Sequence, residues 1–184
     1  MLGRVLKAAL MGLAVACASA PAGQKDAIWK DVRGAPLPDT AFRKSVDGFG
    51  AWVLVTSDMD WQEKLYSSAR RLYFTEADTV EKGGHLHVLI FFTNPGLTET
   101  GRAEIACDIE VERPDGSISI RRLDAACFGE GPLPGPAQKI YNSTPELDFV
   151  GEESDPVGEW RIRVKMKDRV RGVEIPLETS FTLE

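Results

Sequence analysis

The final stretch of the chain, Gly158 to Glu184, constrains the fold more than any other part. Apolar residues alternate with charged or polar residues over two runs, first from Trp160 to Lys167 and then from Val173 to Glu184. Because successive side chains of a strand point to opposite faces, each run predicts a strand with one buried and one wet face. The wet face of the first run is basic and that of the second is acidic, which favours pairing of the two strands in an antiparallel hairpin. The rest of the chain must supply the sheet that covers the apolar face.

Earlier runs predict the other strands. The segments 49–57 and 86–92 are apolar on both sides of the alternation, which is typical of strands buried on both faces. Further strands are predicted at 102–111, 117–123 and 146–150, the first two joined by a tight turn at 113–116. Between the first two strands, residues 58–73 predict a short helical or irregular insertion, which either covers one end of the domain or forms a binding surface.

The order of about seven strands, with their spacing, resembles bacterial immunoglobulin-like and fibronectin type III-like domains. The phrase Asp155-Pro156-x-Gly158-x-Trp160-x-Ile162-x-Val164 is similar to the corner before the penultimate strand of such domains, where Tyr is commoner than Trp. The resemblance covers residues 75–184. It implies an all-β, two-sheet antiparallel immunoglobulin-like sandwich that serves as a binding or spacer module, with no catalytic residues. The Cys-Trp-Cys pattern of antibody domains is not found.

The first 20 residues predict an export signal, because a short basic start is followed by an apolar run and by small residues. Two kinds of processing remain open. Ala18-Ser19-Ala20 fits cleavage by the usual signal peptidase, whereas Leu13 to Cys17 partly resembles a bacterial lipobox, in which Cys17 would carry a lipid anchor. Residues 21–48 are predicted to form a flexible lead-in, and residues 49–184 the β-sandwich domain.

Two cysteines remain beyond Cys17. In an oxidising compartment, Cys107 and Cys127 predict one disulfide. A simple hairpin around the turn at Pro114 would place Cys107 nearer Arg122 than Cys127, so the bridge requires a bend or a bulge. Two buried free thiols are the alternative.

His85 and His87 are the candidate metal ligands. On a strand they share a face with Cα atoms about 6.5–7 Å apart, and such a pair can bind copper or zinc. A third ligand is not evident, and Met59, Met166 and nearby carboxylates are candidates only because they are available. The simpler interpretation is that the two histidines occupy the wet start of a buried strand.

The chemistry of the sequence disfavours several functions. The net charge of -6 disfavours nucleic acid as a partner, since phosphate neutralisation needs clustered basic residues. No nucleophile elbow, P-loop or dinucleotide motif is present, so an enzyme is not expected. The prediction is an exported, periplasmic or secreted, non-enzymatic binding or structural module of the bacterial envelope that uses no cofactor. Its partner would be another envelope protein or a carbohydrate, with membrane contact only through a lipid anchor. The alternative is a periplasmic copper- or zinc-binding protein.

Overall fold

The computed structural model describes residues 28–31, 33–67, 73–129, 131–144 and 146–184. The predicted export signal and Cys17 lie outside these residues. Within them, no helix is long and apolar enough to cross a membrane. In chain order the elements are β1 (Arg43–Val46), β2 (Phe49–Thr56), α1 (Trp61–Tyr66), β3 (Thr79–Val80), β4 (His85–Thr93), β5 (Ile105–Glu112), β6 (Ile118–Ala126), β7 (Ile140–Asn142), β8 (Leu147–Val150), β9 (Gly158–Asp168) and β10 (Val173–Leu183).

The strands form two sheets packed face to face. The first has the order β1-β2-β4-β7, with β8 also paired to β4, and the second has the order β3-β10-β9-β5-β6. The predicted all-β sandwich with a short helical or irregular insertion is therefore confirmed, and the insertion contains one short helix. One strand departs from the antiparallel prediction, because β3 runs parallel to the end of β10 and makes the second sheet mixed.

The C-terminal hairpin has the register that its sequence predicts. Strands β9 and β10 pair along their whole length, from Asp168 opposite Val173 to Gly158 opposite Leu183. The apolar face of β9 is almost completely buried between the sheets, and alternate residues of β10 meet it there. The hydrophobic effect on this shared face is the main force that holds the two sheets together.

Strand β4 is buried on both faces, as its sequence predicts. One side of β4 enters the core between the sheets. On the other side, Leu89 and Phe91 join a second apolar cluster with Trp61 and Leu65 of α1. Residues four apart share one face of a helix, so α1 covers the outer face of the first sheet with these two side chains. The insertion therefore has a packing role.

The sheet begins before the predicted domain boundary at residue 49. Strand β1 starts at Arg43 and pairs with β2. Trp29 is also buried: its indole Nε1 donates a hydrogen bond to the Lys44 carbonyl at 2.9 Å, and its ring meets that of Trp52 edge-on. The described part of the predicted lead-in thus lies against the first sheet.

Cys107 and Cys127 form a disulfide, with Cα atoms 5.7 Å apart. A bulge in β6 makes this pairing possible. Ile109 is opposite Arg122, but Cys107 is opposite Ala125, so β6 contains one extra residue between these pairs. Asp124, in the bulge, has a positive φ of 55°. The extra residue advances β6 and brings Cys127 close to Cys107.

Candidate functional site

A cleft opens between the sheets on the side where β6 and β8 lie at their edges. Its volume is about 380 Å³. Since β8 belongs to the first sheet and β6 to the second, no backbone hydrogen-bond ladder among the described strands closes this side. The cleft is lined by Val88, Val111, Ser119, Ile120, Leu147, Asp148, Phe149, Val150, Glu152, Asp155, Trp160, Ile162 and Phe181.

Aromatic rings form one wall of the cleft. The Phe149 ring centroid lies 4.9 Å from that of Trp160 and 4.6 Å from that of Phe181. The Trp160 indole N–H is already used, because it donates to the Pro156 carbonyl at 3.1 Å. Phe149 and, on the facing edge strand, Ile120 are only partly buried, although both pack against the core. The inner part of the cleft is therefore apolar.

Carboxylates form the rim of the cleft. Glu152 and Asp155, in the turn that follows β8, line it, whereas the Asp148 carboxylate lies on the outer face of the first sheet against His87. One Asp155 carboxylate oxygen accepts a hydrogen bond from the Glu152 backbone N–H at 3.0 Å, which shapes the turn. Among the described residues, the Glu152 carboxylate has no hydrogen-bond or ion-pair partner. The rim is thus polar and negatively charged, while the interior is apolar.

The two histidines lie on the outer face of the first sheet, next to the cleft. Their ring centroids are 5.5 Å apart. His87 is 8% exposed, and its Nδ1 lies 2.6 Å from a carboxylate oxygen of Asp148 on the paired strand β8. In the described part of the chain, no three His, Cys, Asp or Glu side chains could hold one metal ion.

Of the two methionines that the sequence offers as candidate ligands, Met166 lies away from the histidines and Met59 is exposed. Met166 is fully buried between the sheets, on the opposite side of the first sheet from the His87 ring. Met59 is 70% exposed ahead of α1. Met166, a candidate only because it was available, therefore does not lie with the histidines, because strand alternation directs it into the core.

The outer face of the second sheet carries the strongest charges. The basic row of β9 lies between acidic side chains of β5 and β10: Arg163 donates to Glu112 at 2.7 Å, and Lys167 donates to Asp108 at 2.7 Å. These hydrogen bonds lower the pKa of both carboxyls and raise the pKa of both bases. A groove of about 570 Å³ crosses this face. Because the charges in it pair with one another, the basic row is a solvated strand face.

No family model matches the chain, and no curated protein does. Among solved structures, a Niemann-Pick type C2 protein from Japanese carpenter ant is similar at a TM-score of 0.38 and 10% identity, covering 72% of this chain and 89% of that one. A family 123 glycoside hydrolase from Clostridium perfringens is similar at a TM-score of 0.39 and 8% identity, covering 73% of this chain and 27% of that one. Both TM-scores are too low to bear on function, and the immunoglobulin-like resemblance stays a prediction.

Proposed function

We propose that this protein is a non-enzymatic binding module that takes up a hydrophobic small molecule in the cleft between its sheets. The observation that supports the proposal is the cleft itself, a space of about 380 Å³ with an aromatic wall, open between two edge strands. Ligand sites are typically concave spaces of about 300–1,000 Å³, mostly apolar and with a few polar groups that fix orientation. The aromatic wall and the carboxylate rim match this description. The sequence-based prediction of a carbohydrate or an envelope protein as the partner did not point to a cleft of this kind.

The driving force would be burial of the partly exposed side chains that line the cleft. Phe149 and Ile120 retain contact with water on facing edge strands. Covering apolar surface contributes roughly 25 cal/mol per Å² before the entropic cost of association is subtracted. A molecule with an apolar body can gain this energy only by entering between the sheets.

A neutral fluorescent probe tests the proposal. N-phenyl-1-naphthylamine is expected to bind saturably, with a rise in its emission, because its apolar rings fit the aromatic wall. Ile120→Trp fills the cleft and should weaken binding at least about 10-fold, equivalent to about 1.4 kcal/mol. Leu123→Trp is the matched control, since Leu123 is on the same strand but 69% exposed and outside the cleft. Thermal melts check that both variants fold.

Two results would contradict the proposal. One is the absence of saturable probe binding to the folded protein. The other is equal binding by the Ile120→Trp and Leu123→Trp variants.

We also propose export to the periplasm or the cell surface, supported by the charge and hydropathy pattern of residues 1–20. The intact mass of the protein purified from its native host is expected to begin near residue 19, 21 or 23, or at Cys17 with added acyl chains. The first outcome would give a secreted or periplasmic protein, and the second a lipoprotein. A mass that begins at Met1 would refute cleavage of an export signal.

A copper- or zinc-binding role is the second candidate function. It is favoured by the 5.5 Å ring separation, which suits two imidazoles on one ion, and by Asp148, which can orient the His87 ring as an outer carboxylate partner. Copper is expected to bind more tightly than zinc. Either ion should raise the melting temperature, and His85→Ala should abolish the rise, whereas Asp148→Asn should weaken binding about 10-fold. An unchanged melting temperature with both ions would refute this role.

A further inference from the structure

The rim of the cleft has a surplus of negative charge that the chain itself does not neutralise. The Glu152 carboxylate is exposed and has no hydrogen-bond or ion-pair partner within the described residues. Asp155 uses one carboxylate oxygen for a backbone hydrogen bond. Both residues line the same opening. A ligand whose apolar body fills the cleft therefore places its polar end among carboxylates.

The nearest basic groups contact backbone carbonyls and an aromatic ring rather than these carboxylates. Lys82 directs its ammonium group at three backbone carbonyls of the turn, those of Glu152, Glu153 and Asp155, at 3.0, 3.0 and 2.5 Å. Arg113 lies over the Trp160 ring at 5.7 Å and donates to the Ile118 carbonyl at 3.1 Å. Neither basic side chain lines the cleft.

The contact with Lys82 also helps to hold this turn in place. Three carbonyl oxygens of the turn accept hydrogen bonds from that one ammonium group. The turn is fixed to the neighbouring 82–84 turn, because the Gly83 N–H donates to the Gly151 carbonyl at 2.6 Å and the Gly151 N–H donates to the Gly84 carbonyl at 3.0 Å. The carboxylates of the same turn are thus presented by a rigid support beside the opening.

From the apolar wall and this rim, we infer that the ligand of the cleft is a cationic amphiphile, with an apolar body between the sheets and an ammonium-type head at the rim. This inference rests on the proposed function. Charges of opposite sign at the partly shielded mouth of a cleft attract more strongly than they do in bulk water, and added salt weakens the attraction. An anionic head of the same size would be repelled by the same carboxylates.

Three amphiphiles with the same decyl chain and different heads test the inference. Decyltrimethylammonium, decyl glucoside and decyl sulfate, each below its micelle concentration, are titrated against the full chain with N-phenyl-1-naphthylamine as the displaced probe. The ammonium compound is expected to bind at least about 10-fold more tightly than the sulfate, with the glucoside between them. Raising the salt concentration from 50 mM to 500 mM should reduce this preference.

Single charge-removing variants identify the source of the preference. Glu152→Gln removes the unpaired carboxylate. It should reduce the ratio of the binding affinities of the ammonium and sulfate compounds about threefold. Glu99→Gln is the control, since this substitution removes the same net charge at an exposed acid that does not line the cleft. Asp155 is left unchanged because it shapes the turn.

The outcomes separate the two proposals. If none of the three amphiphiles displaces the probe, the hydrophobic site itself is refuted. If all three bind equally, or if the sulfate binds most tightly, the site stands and the cationic head is refuted. An equal effect of Glu152→Gln and Glu99→Gln would also overturn the assignment to the rim, because it would show a response to net charge alone.

Discussion

Replacing Asp168 with alanine is expected to lower the free energy of unfolding by about 3 kcal/mol. Asp168 ends β9 and is 1% exposed. Its carboxylate accepts hydrogen bonds from the Gly96 N–H at 2.6 Å and the Arg171 N–H at 2.9 Å. The Arg171 guanidinium also lies 3.6 Å from it. Alanine would leave these donors without their acceptor, and a buried donor left unpaired costs about 1–3 kcal/mol.

Urea unfolding followed by tryptophan fluorescence measures the loss. Glu174→Ala is the matched control, because Glu174 is an exposed acid on the partner strand whose ion pair with Lys165 is 3.5 Å long. Its expected cost is within about 0.5 kcal/mol. Equal stabilities of the two variants would show that the Asp168 carboxylate does not hold the loop at Gly96. The close approach of this loop agrees with glycine at 96, where a Cβ would lie 2.9 Å from the Arg171 nitrogen.

Removing the disulfide is expected to cost a similar amount. Cys107 and Cys127 are 20 residues apart in sequence, and closing a loop of this length stabilises a fold by about 3 kcal/mol, mainly by restricting the unfolded chain. The double variant Cys107→Ala, Cys127→Ala should therefore unfold at a clearly lower urea concentration than the oxidised protein, with its β-sheet circular dichroism retained under native conditions.

Reduction provides the internal control for this prediction. Dithiothreitol should shift the unfolding midpoint of the unmodified protein towards that of the double variant and should leave the double variant unchanged. A thiol label that finds two free cysteines in the unfolded, non-reduced mature protein would show that Cys107 and Cys127 are not bridged. The expected loss of stability would then not apply.

Much of the architecture follows from local alternation in the sequence. In β9, the four alternate apolar residues from Trp160 to Met166 face the core as predicted. A shift of one residue in the strand register would expose all of them. In β4, apolar residues on both faces correctly predicted a central strand. A short helical or irregular insertion was predicted at 58–73, and α1 begins there at Trp61. These features depend on interactions within one element or between adjacent strands.

Features that depend on distant segments were not predicted. The parallel contact of β3 with β10 involves only two residues, too few for a periodic pattern. Strand β1 has an irregular composition, and its place is set by pairing with β2. The bulge at Asp124 has no glycine to mark it, so the sequence left the disulfide open.

The cleft was also missed, for a related reason. It depends on how β6 and β8 face each other across two sheets, and neither strand alone reveals a gap. The sequence did contain one signal: Phe149 alternates with Leu147 on a strand followed directly by an acidic turn. A large ring on a short edge strand beside carboxylates could have suggested an opening. Of the two alternatives for residues 58–73, α1 supports the covering role, although Trp61 and Leu65 cover the outer face of the first sheet rather than one end of the domain.

The unequal lengths of the strands beside β4 have a consequence for how the proposed ligand would enter and leave the cleft. Strand β4 is held by seven residue pairs with β2, but by only four with β8. Short edge strands open at a lower free energy than central ones, and often without global unfolding. Transient fraying of β8 would widen the passage between the sheets while β2, β4 and the hairpin stay folded. Local opening of β8 would therefore let the proposed ligand enter and leave without global unfolding.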